Sequence, residues 1–281
     1  MSNSKAENIR GIEGVRDDLA ARLLELDGRL QELASERARL AARLAEEEGE
    51  AAAMICEASE TLRHLVERHD GSLPVFALEH VWRELAGAAV SDANIVIHCE
   101  ECEETASLRD AIRYHFGFSL SVEEAGDAPD VVRNVSESAG DIGVIQLKER
   151  SDLPFWRSLG GAAPVIVARL PFLVSEERPA DLPALVIAKP GQAVSGDMRA
   201  YDARWRGALP GPLMAGGIEV LAFHRTAEGV DALIGAPSDL AEDDVRMICA
   251  QAGAEPDTLR PVGIYASPID VEDTGDGGFD D

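Results

Sequence analysis

Apolar positions recur with two different periods along this chain, and the change falls at Asn94. Before it, Leu19, Leu23, Leu26, Leu30, Leu33, Leu40 and Leu44 step by four and three. That spacing predicts one long helix with a single buried stripe. The stripe has one gap, at Arg37, where the repeat calls for another Leu. Gly11, Gly14 and Gly28 weaken the helix locally, by about 1 kcal/mol each relative to Ala in a helix interior. A second helix is predicted over 55–69, with Leu62, Leu65 and Val66 inward. It stops at His69-Asp70-Gly71-Ser72-Leu73-Pro74, where Gly and Pro break the pattern. A third is predicted over 75–91, with Phe76, Val81, Trp82 and Leu85 as its apolar face. Two short helices cannot cover one long seam, so a second copy of the chain is the expected cover and the protein is expected to be a homodimer.

After Asn94 short apolar runs alternate with helical stretches. Strands are predicted at 94–98, 118–122 and 142–147, with helices at 104–116 and 129–138 between and around them. Further strands follow at 164–174 and 182–189. Beyond the turn-forming Leu209-Pro210-Gly211-Pro212 come strands at 218–225 and 230–235, a helix at 239–252 and a strand near 262–267. Alternating strands and helices imply an α/β sheet with parallel elements. The expected class is therefore α + α/β: a helical region over 1–93, an α/β domain over 94–271, and an acidic, Gly-rich tail over 272–281 expected to be disordered.

Charge narrows the function classes. The 281 residues carry 26 Lys and Arg against 52 Asp and Glu, a formal net charge of −26. Residues 1–93 hold 11 cations and 19 anions, so neither region is basic. Nucleic-acid binding needs a cationic face, and so does docking on an anionic membrane; neither partner is expected. No run of about 18 apolar residues is present to span a bilayer, and the first residues do not read as a signal peptide. Four cysteines, Cys56, Cys99, Cys102 and Cys249, are too few for a disulfide scaffold, so a reducing, cytoplasmic setting is expected.

Arg37 is the sharpest local anomaly. A guanidinium on an apolar stripe is costly unless it meets an anion or reaches water. It either projects into a cavity and grips a carboxylate, or pairs with a Glu, or snorkels past the stripe. His98-Cys99-Glu100-Glu101-Cys102 is a second candidate, because a Cys-x-x-Cys after a strand and before a helix is where a redox pair sits. Its acidic neighbours oppose a thiolate, and zinc would need two more ligands. No metal or cofactor is expected.

The helical region resembles the all-helical class of chorismate mutase. The likeness is carried by Leu26-Asp27, Leu30 and Arg37, with Arg37 ten residues after Asp27, by Leu62 to Pro74, and by Val81-Trp82-Arg83-Glu84-Leu85. It implies a dimeric three-helix bundle that rearranges chorismate to prephenate in aromatic amino-acid biosynthesis without a cofactor. It assigns Arg37 to the catalytic site as a carboxylate-binding cation. The other catalytic positions of that family fall here at Ala20, Glu48, Glu57-Ala58 and Ala93, so the implied activity is weak or absent. Arg16, Arg22 and Arg63 are the cations at hand to substitute. Residues 94–189 resemble a prephenate dehydratase domain through 130–135, 140–145 and Val167-Ala168-Arg169-Leu170-Pro171-Phe172, without its Gly-Pro-Gly-Thr-Phe-Ser and Glu-Asn-Ser loops. Residues 218–267 resemble a ligand-sensing module. The two functions that follow are a mutase taking chorismate or a related dicarboxylate, and a non-catalytic relative that binds an aromatic metabolite or an active mutase.

Overall fold

The computed structural model describes residues 2–48, 58–191, 196–211 and 213–272. It has a long N-terminal helix followed by a large mixed β-sheet with helices, so the class is mixed α and β. Helix α1 spans Ser2–Glu48, α2 Ala58–Glu67 and α3 Val75–Ala89. The Leu stripe of α1 is not covered within the chain: its seven leucines are 46–64% exposed. Only the C-terminal part of the helix lies beside α3.

The shorter helices pack on the sheet domain. Leu62 of α2 is buried against Phe172 and Leu173, with Leu65 and Val66 beside it. The face that α3 buries differs from the expected one. Glu79, Arg83 and Gly87 are buried, whereas Val81 is exposed. The cause is α4 (Thr105–Phe116), which crosses α3 so closely that only Gly fits: a Cβ on Gly87 would lie 2.1 Å from the Phe116 carbonyl oxygen. At the same corner Glu84 accepts the Phe118 N–H (3.0 Å), and Gly117 takes φ +77° to end α4, a conformation that favours glycine.

The sheet has nine strands in the order β2-β1-β3-β6-β4-β10-β7-β9-β8. These are β1 Val96–Cys99, β2 Ser121–Glu124, β3 Ile142–Gln146, β4 Val165–Leu170, β6 Ala184–Ala188, β7 Met198–Trp205, β8 Glu219–Arg225, β9 Val230–Pro237 and β10 Thr258–Tyr265. Strands β5 (Leu173–Val174) and β11 (Ile269–Asp270) form a separate parallel pair. β1 is parallel to β2 and β3, and β10 to β4; the other ladders are antiparallel. Helices α4 and α5 (Ala128–Glu137) cover opposite faces of the parallel wing. Asp127 caps α5 by accepting the Asp130 N–H, with Pro129 in its first turn.

The antiparallel strands curl back on themselves. Phe223 N–H donates to Glu149 O (2.7 Å) and Ser151 N–H to Phe223 O (2.9 Å), so β8 closes against the segment that follows β3. The concave side holds Ile145, Ile166, Leu185, Ala200, Leu233, Val262 and Tyr265, plugged by a 3₁₀ turn at Phe155–Ser158. Helix α6 (Glu242–Gln251) covers the convex side through Val245 and Cys249.

Several boundaries move. The strand expected at 118–122 lies at Ser121–Glu124, and the last long strand begins at Thr258, not 262. The run 164–174 divides at Pro171, which has no N–H to give a ladder. Strand β7, in the middle of the curled sheet, was not foreseen. Its concave positions Ala200, Asp202 and Arg204 are not the apolar alternation that marks a strand. Cys56, Glu57 and 273–281 lie outside the described residues. No described helix is long and apolar enough to cross a membrane.

Candidate anion-binding hollow between the helices

Arg37 lies on α1 where the helix passes α2. It lines a hollow of about 470 Å³ together with Leu33, Glu36, Leu40, Leu44 and Thr61. The guanidinium is half-buried, and burial pulls its pKa below the usual arginine value. Its Nη1 is buried and makes no hydrogen bond among the described residues. Glu36 shares the hollow but forms no ion pair with it. A desolvated guanidinium with an open donor attracts a carboxylate or phosphate, whose oxygens match its fork.

Thr61 also lines a second hollow, of about 630 Å³, between α2, α3 and the turn at 68–73. His64, Arg68 and His69 face it, with Leu78 and Trp82 as apolar wall. The turn is held by Asp70, which accepts the Ser72 N–H (3.0 Å) and hydroxyl (2.6 Å); the Ser72 hydroxyl, chiefly, lowers its pKa. His69 bonds the Leu73 carbonyl, and His64 sits 3.4 Å from Glu67. His64, Arg68 and His69 were not among the candidate residues that the sequence offered. Their i, i+4 and i+5 spacing, running from the end of α2 into the turn that follows, was the available signal. Arg16, Arg22 and Arg63 line neither hollow. Arg22 pairs loosely with Asp18 (4.0 Å) in solvent, and Arg63 lies over the Phe172 ring (5.8 Å) on the sheet side of α2.

Of the substituted family positions, Ala20 is exposed on α1 and Ala93 sits in the 3₁₀ turn Ser91–Ala93. Glu48 ends α1, and its side chain, like all of Glu57, lies outside what is described.

A buried ionic cluster fixes the wall that α3 provides. Glu79 lies 3.8 Å from Arg83 and 3.5 Å from Arg178, and accepts the Tyr114 hydroxyl at 3.3 Å. Arg178 also reaches the Leu173 carbonyl and stacks over Phe76 and Tyr114. Desolvation raises the Glu79 pKa despite these cations. His115 is wholly buried, 3.8 Å from Glu79, and desolvation followed by the charges of Arg83 and Arg178 drives its pKa well below 6.5. Removing one member of such a cluster leaves an uncompensated buried charge, so α3 is held firmly against α4 and the sheet.

The Cys-x-x-Cys segment is not built for redox chemistry. Cys99 points into the core under α4, and burial, then Glu124, push its thiol up to about 11. Cys102 is partly exposed, and its backbone N–H and carbonyl both bond the Thr105 hydroxyl (2.7 Å each). Both thiols are free. Among the described residues no three His, Cys, Asp or Glu side chains converge as a metal site would require. His98 pairs with Asp141 (3.0 Å) beneath α5, where Asp141 also holds the Val96 N–H.

No protein-family model matches the chain, and no curated protein matches it. A solved structure described as "GqqA- a novel type of quorum quenching acylases" is 9% identical, with a TM-score of 0.38, over 64% of this chain and 98% of that one. At that level the likeness carries no argument about function.

Proposed function

We propose that this chain is a chorismate mutase family protein that binds a chorismate-like dicarboxylate in the hollow beside Arg37. The observation that carries the reading is the half-buried Arg37 guanidinium, which has an unused buried donor and opens on a cavity between two helices. Arg68 in the adjoining hollow supplies a second cation for a dianion, with the His64 and His69 rings beside it as hydrogen-bonding groups. An ether rearrangement needs donors at the breaking oxygen as well as grips on the carboxylates. With Ala20 and Glu48 where the family places cations, binding outlasts turnover, and rearrangement is weak or absent.

The dimer belongs to the same reading. The exposed stripe Leu19–Leu33 repeats at heptad spacing, so it is complementary to itself, and α1 is about 70 Å long at 1.5 Å per residue. A second copy laid along it removes the uncovered leucines from water and closes the open side of the Arg37 hollow.

The test is incubation of the purified protein with chorismate, followed by its absorbance, together with thermal shifts by chorismate, prephenate, phenylalanine and tyrosine. A ligand that binds only the native state raises the midpoint. A shift with chorismate or prephenate that disappears in Arg37→Ala is the expected result; turnover lost in the same variant would add catalysis to binding. No shift and no turnover in folded wild type would end the proposal.

A further inference from the structure

The concave face of the curled sheet carries a second charged cluster, far in sequence from the helical hollow. Two carboxylates lie at the bottom of it. Asp202 on β7 has a side chain 0% exposed, and Asp231 on β9 has one 5% exposed. Three guanidiniums stand over them: Arg204 on β7 at 38%, Arg260 on β10 at 36% and Arg157 from the 3₁₀ plug at 41%. Strand register makes the arrangement, because Arg260 lies opposite Asp202 and Arg204 opposite Asp231. Asp202 Oδ2 accepts from Arg204 Nη2 (2.9 Å) and Arg260 Nη2 (3.1 Å). Asp231 holds Arg157 Nη2 on one oxygen and has Arg204 Nε 3.6 Å from the other.

Three features set this cluster apart from a closed structural network. Cations outnumber anions three to two in a chain with net charge −26. The charges are layered, with carboxylates buried and guanidiniums facing solvent, so the outer surface is cationic. Arg260 is used up by the carbonyls of Trp156, Arg157 and Leu159, whereas Arg157 and Arg204 each bond a carboxylate through Nη2 and make no other hydrogen bond among the described residues. Each guanidinium has five donors in a rigid fork. Buried carboxylates that orient ligand-binding groups from behind are the usual way such a grip is preorganised.

We infer that Arg157 and Arg204, braced by Asp231 and Asp202, form a clamp for a small oxyanion, either a phosphate monoester or a carboxylate. This site is separate from the helical hollow and does not depend on its reading. Inorganic phosphate and malonate are the probes, titrated calorimetrically into the full-length protein at low ionic strength, with sodium chloride of equal ionic strength as control. With the titrations run in the Arg37→Ala protein, so that the helical hollow does not contribute, binding is expected to weaken at least tenfold on adding Arg157→Gln and to be unchanged on adding Arg133→Gln, which removes an exposed guanidinium paired with Asp130. Arg157→Lys keeps the charge on Asp231 but loses the fork; it guards against a folding defect and is also expected to bind at least tenfold more weakly. Binding of phosphate alone identifies a phosphate monoester, and of malonate alone a carboxylate ligand. Absence of binding by either probe beyond the chloride control, or unchanged binding in a folded Arg157→Lys protein, overturns the inference.

Discussion

Gly87→Ala and Gly28→Ala make the same chemical change in two helices and should have opposite effects. Replacing an interior helical Gly by Ala is worth about 1 kcal/mol in favour of the helix. At Gly28 a Cβ meets nothing within 4 Å, so the propensity gain stands alone. At Gly87 the new carbon would lie 2.1 Å from the Phe116 carbonyl oxygen and 3.2 Å from its carbon. Those are backbone atoms of α4, so α3 and α4 must move apart by an ångström or more. Overpacking of this kind costs about 1–3 kcal/mol, and the upper end applies where backbone must yield. The move also strains the Glu84 bond to Phe118 N–H and the fit of Gly117 against Glu84. The expected net effect is a loss of about 2 kcal/mol for Gly87→Ala. At roughly 2–4 °C per kcal/mol for a chain of this size, that lowers Tm by about 4–8 °C. Urea denaturation gives the free energy, and circular dichroism gives the helix gained in Gly28→Ala. A Gly87→Ala protein as stable as wild type would refute the close crossing of α3 on α4, and with it the placement of the buried Glu79 cluster.

Further outcomes follow from the same packing. His115 is buried neutral, so its folded pKa lies below its unfolded 6.5; the stability it confers is present above pH 6.5 and is lost as pH falls below it. His115→Gln should flatten stability against pH between 6.5 and 5 by up to one proton, about 1.4 kcal/mol per pH unit. Glu79, with its raised pKa, acts in the opposite sense, losing its contribution as pH rises through its folded value, and it remains in both proteins. Leu62→Ala should cost about 2–5 kcal/mol and loosen α2 from Phe172, read by denaturant titration; a loss below 1 kcal/mol would contradict that burial. Leu26→Arg with Leu30→Arg should turn the proposed dimer into a monomer in sedimentation while leaving the sheet signal intact. Alkylation at pH 8 should reach Cys102 well before Cys99 or Cys249, both of which burial holds at about 11; equal rates would contradict the packing of Cys99 under α4.

Local pattern by itself determined the elements whose side chains sort cleanly by polarity. The leucine repeat of α1, the helices 105–116 and 128–137, and the apolar strands β3 and β6 are all legible because burial imposes a period of 3.6 or 2 on one chain segment. The gap at Arg37 was legible for the same reason: a charge where the period demands Leu stands out without any knowledge of what surrounds it. Tertiary structure alone decided what breaks that sorting. Strand β7 hides in the sequence because Asp202 and Arg204 face inward, and their partners Arg260, Asp231 and Arg157 come from residues 27 to 58 positions away. The buried face of α3 holds Glu79 and Arg83 in place of Val81, because Arg178, His115 and Tyr114 arrive from elements remote in the chain. Burying a charge is favourable only when its counter-charge is in place, and no local window of sequence contains both. The hollow beside Arg37 likewise exists only because α2 passes α1 and brings Thr61 beside Leu33, Leu40 and Leu44, an adjacency that hydrophobic periodicity does not encode.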